Sequence, residues 1–382
     1  MTQRRHFLFG TAALGAASLL LPRLALAQVA SGKKLLFVLL RGGADGLSIL
    51  APVGDPDFAR QRREYADEYA GAPKLGSFFA LHPALAQVGA MVAGGEALVA
   101  HAAATGYRER SHFDAQNLLE TGGTRAYELR DGWLNRLIGL LPEPHPAGLA
   151  IAQAIPLALR GPASVTSYAP SALPAASEAL LTRLDGLYAS DAQLHAMLAQ
   201  ALATRAMAGD GAGTLRDAEE AGRLAATLMS GPSGAGIAML ESNGWDTHAN
   251  QRGALARQLR GLDALIAAYP AGMGEAWADT LVIVATEFGR TVKLNGTGGS
   301  DHGTAGAALL LGGAVRGGRV LADWPGLADA ALHEGRDLRP TAALEPLLAG
   351  AAAAHFGVDP AWAMPVLFPG RTERPVEGLL KA

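Results

Sequence analysis

Four short stretches of the sequence place histidine, arginine and acidic residues among hydroxyl and glycine residues. They are RSHFDAQN at 110–117, NGWDTHANQ at 243–251, TEFGRT at 286–291 and GSDHGTA at 299–305. Imidazole nitrogen and carboxylate oxygen are ligands that zinc and manganese accept in proteins. The first question is therefore whether these stretches meet at one divalent metal ion or form separate polar loops.

The stretch NGWDTH places Asp246 and His248 two positions apart. In extended backbone two such side chains point to the same face, so we predict that both bind one ion. The alternative is a turn closed by Asn243 and Gly244, in which Asp246 caps the helix that begins near 250.

The stretch GSDHG places Asp301 directly before His302. Adjacent side chains point to opposite faces of an extended chain, so we predict that His302 is a ligand. Asp301 would then either bind the ion or orient a neighbouring ligand. The alternative is a glycine-rich loop with exposed polar side chains.

Two further acidic residues follow apolar runs. Glu287, in TEFGRT, is predicted to be a metal ligand or a base, and Arg290 to clamp an anion with its planar fork of donors. The alternative for both is a salt bridge at the end of a strand. Asp45, in RGGADGLS, is predicted to be a ligand from the first strand, although Gly46 also indicates a turn.

The stretch RSHFDAQN supports three interpretations. Ser111 and Asp114 have the spacing of a capping box, in which both side chains serve the helix backbone. A serine at a helix N-terminus also lies where N–H groups favour an anion, and beside a metal ion it is a candidate nucleophile. His112 is a candidate metal ligand, and Arg110 is a candidate group for neutralising the anion.

Five apolar runs are predicted to be the strands that position these stretches. They are KKLLFVLL (33–40), EALVAHAAA (96–104), SGAGIAMLES (233–242), DTLVIVAT (279–286) and AALLLGG (307–313). Helical patterns lie between them, which indicates an α/β fold with a mainly parallel sheet. In such sheets ligands bind beyond the carboxyl ends of the strands, where most of the polar stretches would lie.

The composition is that of a globular protein, with 382 residues of which 49% are hydrophobic and 18% charged. We predict one α/β domain over residues 28–382, with a mostly helical insertion around 142–232. The 32 basic and 35 acidic residues give a net charge of −3 without a polybasic run, which disfavours nucleic acid as a partner.

The first 27 residues have the order of a cleaved export signal. Arg4 and Arg5 precede Phe7 and Leu8, a short apolar run follows, and ALA ends at residue 27. The paired arginines resemble twin-arginine signals, which predicts export by that machinery to the periplasm or the cell exterior. The apolar run is shorter than the roughly 20 residues needed to span a bilayer, and no stable membrane span is expected. The chain contains no cysteine.

LLFVLLRGGADGLS, RSHFDA, GWDTH, ATEFGRT and GSDHGTAGA, in this order, resemble the bacterial secreted family catalogued as domain of unknown function 1501. That family is similar to the alkaline phosphatase and sulfatase superfamily, which implies a three-layer α/β/α sandwich. The resemblance implies one ion on Asp246, His248 and His302. It implies a second ion near Asp45 and the nucleophile Ser111, where Glu287-Phe288 replaces the superfamily's Asp-His pair.

Together these observations predict an exported metal-dependent hydrolase of phosphate or sulfate esters, acting on a small molecule or a surface polymer. Zinc or manganese would be the cofactor, as one or two ions. Ser111 would attack, and Arg110 or Arg290 would neutralise the non-bridging oxygens. The alternative is a non-catalytic exported protein, with a binding or structural role on the same fold.

Overall fold

The computed structural model describes residues 32–63, 65–142, 146–171, 176–209 and 215–381. The predicted export signal at 1–27 lies outside the described residues. Of the helices in the described ranges, none has the length and the apolar character needed to cross a bilayer.

The chain forms an α/β fold. Its strands are β1 (Lys34–Arg41), β2 (Leu50–Ala51), β3 (Lys74–Leu75), β4 (Phe79–Leu81), β5 (Ala97–Ala104), β6 (Gly148–Ile151), β7 (Val165–Ser167), β8 (Ile237–Asn243), β9 (Thr280–Thr286), β10 (Gly306–Leu311), β11 (Arg319–Leu321) and β12 (Ala342–Ala343). Its α-helices are α1 (Gly46–Ile49), α2 (Phe58–Gln61), α3 (Ala86–Ala93), α4 (His112–Thr121), α5 (Trp133–Leu140), α6 (Glu178–Tyr188), α7 (Ala192–Ala208), α8 (Ala218–Met229), α9 (Gln251–Met273), α10 (Leu344–His355) and α11 (Pro360–Leu367). Short 3-10 helices span Ala66–Tyr69, Leu157–Leu159, Gly274–Asp279 and Asp329–Ala331.

The central sheet is mixed and has nine strands, in the order β11-β5-β10-β9-β1-β8-β6-β7, with β12 also paired to β5. β1 runs parallel to β8 and β9, and parallel pairing continues through β6 to β7. β10 is antiparallel to both of its neighbours, β9 and β5. Each of the five apolar runs contains one strand of this sheet. A smaller sheet has the order β2-β4-β3.

The direction of β10 decides where the stretch GSDHGTA lies. This stretch ends directly before the first residue of β10 instead of following a strand. Because β10 runs antiparallel to β9, its beginning lies at the edge of the sheet where β9 ends. The loops after β8 and β9 and the loop before β10 therefore reach the same edge.

Both faces of the central sheet are apolar and covered. Alternate residues of β1 point to opposite faces, as strand geometry requires. One set packs in a cluster with α3, α8 and α9, and comprises Leu36, Val38 and Leu40. The other set packs in a cluster with α5, α10 and α11, and comprises Leu35, Phe37 and Leu39. This two-sided burial fixes the strands whose ends carry the polar loops.

The segment 142–232, predicted to be a mostly helical insertion, also supplies two strands to the central sheet, β6 and β7. Of its helices, α8 has a buried apolar face and packs against α9. α6 has no buried side chain, and Thr204 is the buried residue of α7. Within this segment the largely exposed helical part is therefore α6 and α7.

Candidate metal centre

Three side chains from different elements meet at the edge where β9 ends. His112, Asp246 and His302 each offer one ligand atom, and these atoms lie within 4.8 Å of one another. The Nε2 atoms of His112 and His302 are 3.0 Å apart, and Nε2 of His302 is 3.2 Å from Oδ1 of Asp246. Around a tetrahedral zinc ion with bonds of about 2.0–2.1 Å, neighbouring ligand atoms are roughly 3.3 Å apart. The three side chains are thus spaced to hold a metal ion.

A fourth donor, His248, lies beside this group. Its Nε2 is 3.0 Å from Nε2 of His302 and 2.9 Å from Oδ1 of Asp246. The structure therefore brings together Asp246, His248 and His302, the trio singled out in the sequence. It adds His112, which the sequence offered only as one of three roles for its stretch.

The elements that carry these residues explain their convergence. His112 is the first residue of α4, Asp246 and His248 lie in the loop after β8, and His302 lies in the loop before β10. Glycine permits the close approach of these loops. A Cβ on Gly42, whose φ is +122°, would lie 2.5 Å from the backbone nitrogen of Asp246. Larger residues are excluded there both by this contact and by the backbone conformation.

Each imidazole faces an acceptor with its second nitrogen, Nδ1. The pairs are His112 with Glu287 Oε1 at 2.9 Å, His302 with the carbonyl oxygen of Arg110 at 3.0 Å, and His248 with Asp301 Oδ1 at 3.2 Å. An ionised carboxylate and a carbonyl oxygen can only accept hydrogen bonds. In the neutral imidazoles the proton therefore sits on Nδ1, and Nε2 carries a lone pair.

This tautomer leaves three lone pairs and a carboxylate pointing at one another. The Nε2 atoms of His112 and His248 both approach Nε2 of His302. Acceptors at such distances repel unless a proton or a cation lies between them. A metal ion satisfies all of these atoms at once, and the donor set of imidazole nitrogen and carboxylate oxygen suits a divalent ion.

Glu287 was predicted to be a metal ligand or a base, and it does not lie among the three side chains grouped at the candidate centre. Its buried Oε1 accepts hydrogen bonds from Nδ1 of His112, Nε2 of Gln116 and the backbone N–H of Gly42. Burial alone would raise the pKa of Glu287, but the hydrogen bonds from His112 and Gln116 outweigh it and lower the pKa. Glu287 in turn raises the pKa of His112. Glu287 therefore orients the imidazole of His112 from the side of Nδ1.

Arg290 was predicted to clamp an anion, and its placement contradicts this role. Its side chain is buried, and Nη1 donates to Oδ1 of Asp246 at 2.7 Å. The rest of the guanidinium contacts Ser300 and the carbonyl of Gly42. Burial would raise the pKa of Asp246, but the contact with Arg290 lowers it. Arg290 therefore holds Asp246 in place with a guanidinium that is buried.

Arg110 was predicted to neutralise an anion, and its guanidinium is also engaged elsewhere. Nη2 is 2.7 Å from Asp337 Oδ2 and 2.5 Å from Glu334 Oε2. The contribution of Arg110 to the centre is its carbonyl oxygen, which accepts from His302. Its backbone has φ of 61°, a conformation that non-glycine residues seldom adopt.

Asp45 does not lie among the ligands, which corrects the prediction of a first-strand ligand. It is buried, and Arg62 donates to both of its oxygens at 2.7 and 3.1 Å. Ser48 and Gln251 donate to Oδ2 as well. Asp45 also accepts from the N–H of Leu47 as the N-cap of α1, so the turn indicated by Gly46 describes it better.

Ser111 is the N-cap of α4 by position, yet its side chain makes no capping hydrogen bond. The capping-box interpretation is therefore wrong, because the hydrogen bond that it requires from the Ser111 side chain is not formed. Instead the hydroxyl of Tyr107 donates to Asp114 Oδ2 at 3.1 Å. Ser111 lies directly before His112, at the N-terminus of a ten-residue helix. The first N–H groups of such a helix have no carbonyl partner within it.

The sequence interpretation missed Gln116. It lies four residues after His112 and therefore on the same face of α4, so the spacing alone could have indicated that both side chains reach the same site. Its Oε1 accepts from Nη1 of Arg41 at 2.7 Å, so its Nε2 is turned to donate to Glu287 at 2.9 Å. Arg41 and Gln116 thus keep Glu287 in position behind His112.

The family model described as Protein of unknown function (DUF1501) matches residues 32–361 of the chain. The chain therefore belongs to this family. No curated protein matches it.

Proposed function

We propose that this member of the DUF1501 family is an exported, metal-dependent hydrolase of phosphate or sulfate esters. The observation that carries the proposal is the convergence of three imidazole Nε2 atoms on Asp246, with every Nδ1 facing an acceptor. We also propose that the fold is the three-layer α/β/α sandwich, with a mainly parallel sheet, of the alkaline phosphatase and sulfatase superfamily.

The proposed cofactor is one zinc or manganese ion. His112, Asp246 and His302 would hold it, with His248 as a fourth ligand. Nitrogen and oxygen donors suit these metals, and the chain offers no cysteine sulfur. We propose a single ion because Arg62 and His112 occupy the carboxylates of Asp45 and Glu287, which the sequence had offered for a second one.

Ser111 is the proposed nucleophile. Its oxygen would attack phosphorus or sulfur, the bond to the ester oxygen would break, and the serine proton would end on the released alcohol. Water would then cleave the seryl ester and restore the hydroxyl. The backbone N–H groups at the start of α4 would favour the anionic group beside the serine. The divalent ion would supply charge stabilisation for the developing negative oxygen.

The proposed location follows from the leader. Residues 1–27 would direct the folded chain through the twin-arginine machinery to the periplasm or the exterior, where the ester is a small molecule or part of a surface polymer. Export in the folded state would allow the metal site to form before translocation.

The test is hydrolysis of aryl phosphates and aryl sulfates by purified protein supplied with zinc, manganese, magnesium or calcium. We expect metal-dependent turnover that falls at least about 100-fold in Ser111→Ala. Ser177→Ala is the matched control, since Ser177 is the N-cap of α6 and bonds there to the N–H of Leu180. Equal rates for Ser111→Ala and the parent protein would remove Ser111 from the mechanism. An absence of turnover with every metal would reject the hydrolase.

A non-catalytic exported protein on the same fold is the second candidate. The observation that favours it is that both arginines offered as anion clamps, Arg110 and Arg290, are paired with carboxylates. This candidate predicts metal binding with no ester turnover, and the same assay with a parallel metal titration separates the two.

A further inference from the structure

Arg336 lies beside the metal centre without being part of it. Its Nη2 donates to the carbonyl oxygen of His302, and its Nε donates to Asp337 Oδ1 at 2.8 Å. The side chain is 45% exposed. A guanidinium has five N–H donors, so one edge of Arg336 is anchored while other donors remain for a ligand.

The turn that carries Arg336 is held in a fixed position. His333 and Asp337 exchange both of their backbone hydrogen bonds, at 2.9 and 3.0 Å. Glu334, between them, has φ of 54°, which is strained for a non-glycine residue. Arg110 bonds to Glu334 and to Asp337, and thereby ties the turn to the loop before α4. Strained backbone that is held by such contacts occurs preferentially at functional sites.

The surroundings of Arg336 differ from those of the two arginines that the sequence offered. Arg290 is buried against Asp246, and Arg110 contacts two carboxylates. Arg336 contacts one carboxylate and the backbone of a ligand, and it is half-exposed. Of these three arginines Arg336 has the most exposed side chain, 45% against 21% for Arg110 and 0% for Arg290.

We propose that Arg336 binds the non-bridging oxygens of the phosphate or sulfate group of the substrate, an inference that rests on the proposed function. The planar fork of a guanidinium matches two oxygens of a tetrahedral anion. Arg110 then has a positioning role, because it holds the turn that presents Arg336 and accepts from His302 through its carbonyl.

The experiment measures binding of inorganic phosphate and of sulfate to the metal-loaded protein by calorimetry. Loss of a charged hydrogen-bond donor predicts a Kd for the anion that is about 10-fold to 100-fold higher in Arg336→Gln. Arg336→Lys should recover part of the affinity, because it keeps the charge but not the fork. Arg125→Gln is the matched control, since Arg125 is an exposed arginine with an acidic neighbour, Glu128.

Metal affinity is measured on the same variants as a second readout. We expect it to change less than about threefold in Arg336→Gln, because Arg336 contacts the backbone of His302 and not its imidazole. A loss of metal affinity as large as the loss of anion affinity would overturn the inference. Equal anion binding by Arg336→Gln and the parent would overturn it alone and leave the proposed function standing. Binding of neither anion by the metal-loaded parent would overturn it together with the ester class.

Discussion

Two clusters of polar side chains lie next to each other behind the loops at one edge of the sheet, and only one of them is complete. Around Asp45, the carboxylate oxygens meet donors from Arg62, Ser48 and Gln251. At the candidate metal centre, three imidazoles and a carboxylate present acceptors to one another. The two clusters are neighbours, because Gln251 also accepts from Thr247, between Asp246 and His248 in the chain.

The two clusters differ in whether each hydrogen-bond acceptor has a donor from the protein. A buried carboxylate whose oxygens are all satisfied by the protein needs nothing further, and Asp45 with Arg62 is of this kind. Acceptors that face one another across about 3 Å need a proton or a cation between them. We therefore expect the first cluster to stabilise the fold, and we propose that a cation binds at the second. Each prediction below sharpens or breaks this contrast.

The largest expected effect is on the complete cluster. Arg62→Met leaves the Asp45 carboxylate buried without its charge partner, which costs about 3–5 kcal/mol in the free energy of unfolding. The difference in unfolding free energy between Arg62→Met and the parent protein should be the same with and without zinc, because Arg62 does not contact the candidate metal centre. The measurement is urea-induced unfolding with and without zinc. Arg60→Met, on an exposed arginine paired with Asp57, is the control and should leave the free energy of unfolding almost unchanged.

The next effect is on the open cluster. His302→Ala removes the imidazole that contacts both His112 and His248, so metal affinity should fall by more than about 100-fold. The metal-free protein should unfold at nearly the same urea concentration as the parent. His195→Ala, on the exposed helix α7, is the control. A large destabilisation of the metal-free His302→Ala protein would show that this cluster, too, serves the fold.

Glu287 should matter less than the ligand that it orients. Glu287→Gln keeps the shape but weakens the acceptor for Nδ1 of His112, and residues of this kind typically contribute 10-fold to 100-fold in metal affinity. The measurement is competition with a chelator. An unchanged affinity would mean that His112 does not bind the metal.

The metal-free and the metal-bound protein should respond differently to pH. The hydrogen bond to Glu287 raises the pKa of His112 above its usual 6.5. In the metal-free protein the protonated pair therefore stabilises the fold fully below about pH 6.5, and this contribution is lost as the pH rises through the raised pKa. Metal binding displaces that proton, so metal affinity should rise with pH over the same range.

In Glu287→Gln the rise in metal affinity should move to lower pH, because the group that raises the pKa of His112 is weakened. Calorimetric titrations from about pH 5.5 to about pH 8.5 cover the range. A profile with the same midpoint in both proteins would contradict the assigned contact between Glu287 and His112.

The smallest effect is expected at Asp301. Its carboxylate faces Nδ1 of His248 at 3.2 Å, but both side chains are about half-exposed to water, which screens the pair. Asp301→Asn should lower metal affinity by less than about 10-fold and leave the free energy of unfolding almost unchanged. A loss equal to that of Glu287→Gln would place His248 on a par with His112 at the centre.

Much of the frame could be predicted from the sequence because a continuous apolar run that ends in a polar, glycine-containing turn is typical of a buried strand. Each of the runs that end in RGGADG, TGYRER, NGWDTH and EFGRT contains a strand of the central sheet, as predicted. The reversal of β10 could not be predicted, since a run such as AALLLGG has the same composition in either direction. The direction depends on its partners, β9 and β5.

The site could be predicted only as far as residue type allows. Asp246, His248 and His302 were recognised from their spacing, and the structure brings them together. Asp45 and Glu287 were misassigned because their partners are distant in sequence. Arg62 lies 17 positions from Asp45, and the orienting role of Glu287 depends on a histidine 175 positions away.

The most direct test of the account is anomalous diffraction at the zinc absorption edge from crystals of zinc-loaded protein. The account predicts one peak, within about 2.0–2.2 Å of Nε2 of His112, Nε2 of His302 and a carboxylate oxygen of Asp246. A peak bound only elsewhere on the molecule, or no peak in protein that has been shown to be folded, would contradict it.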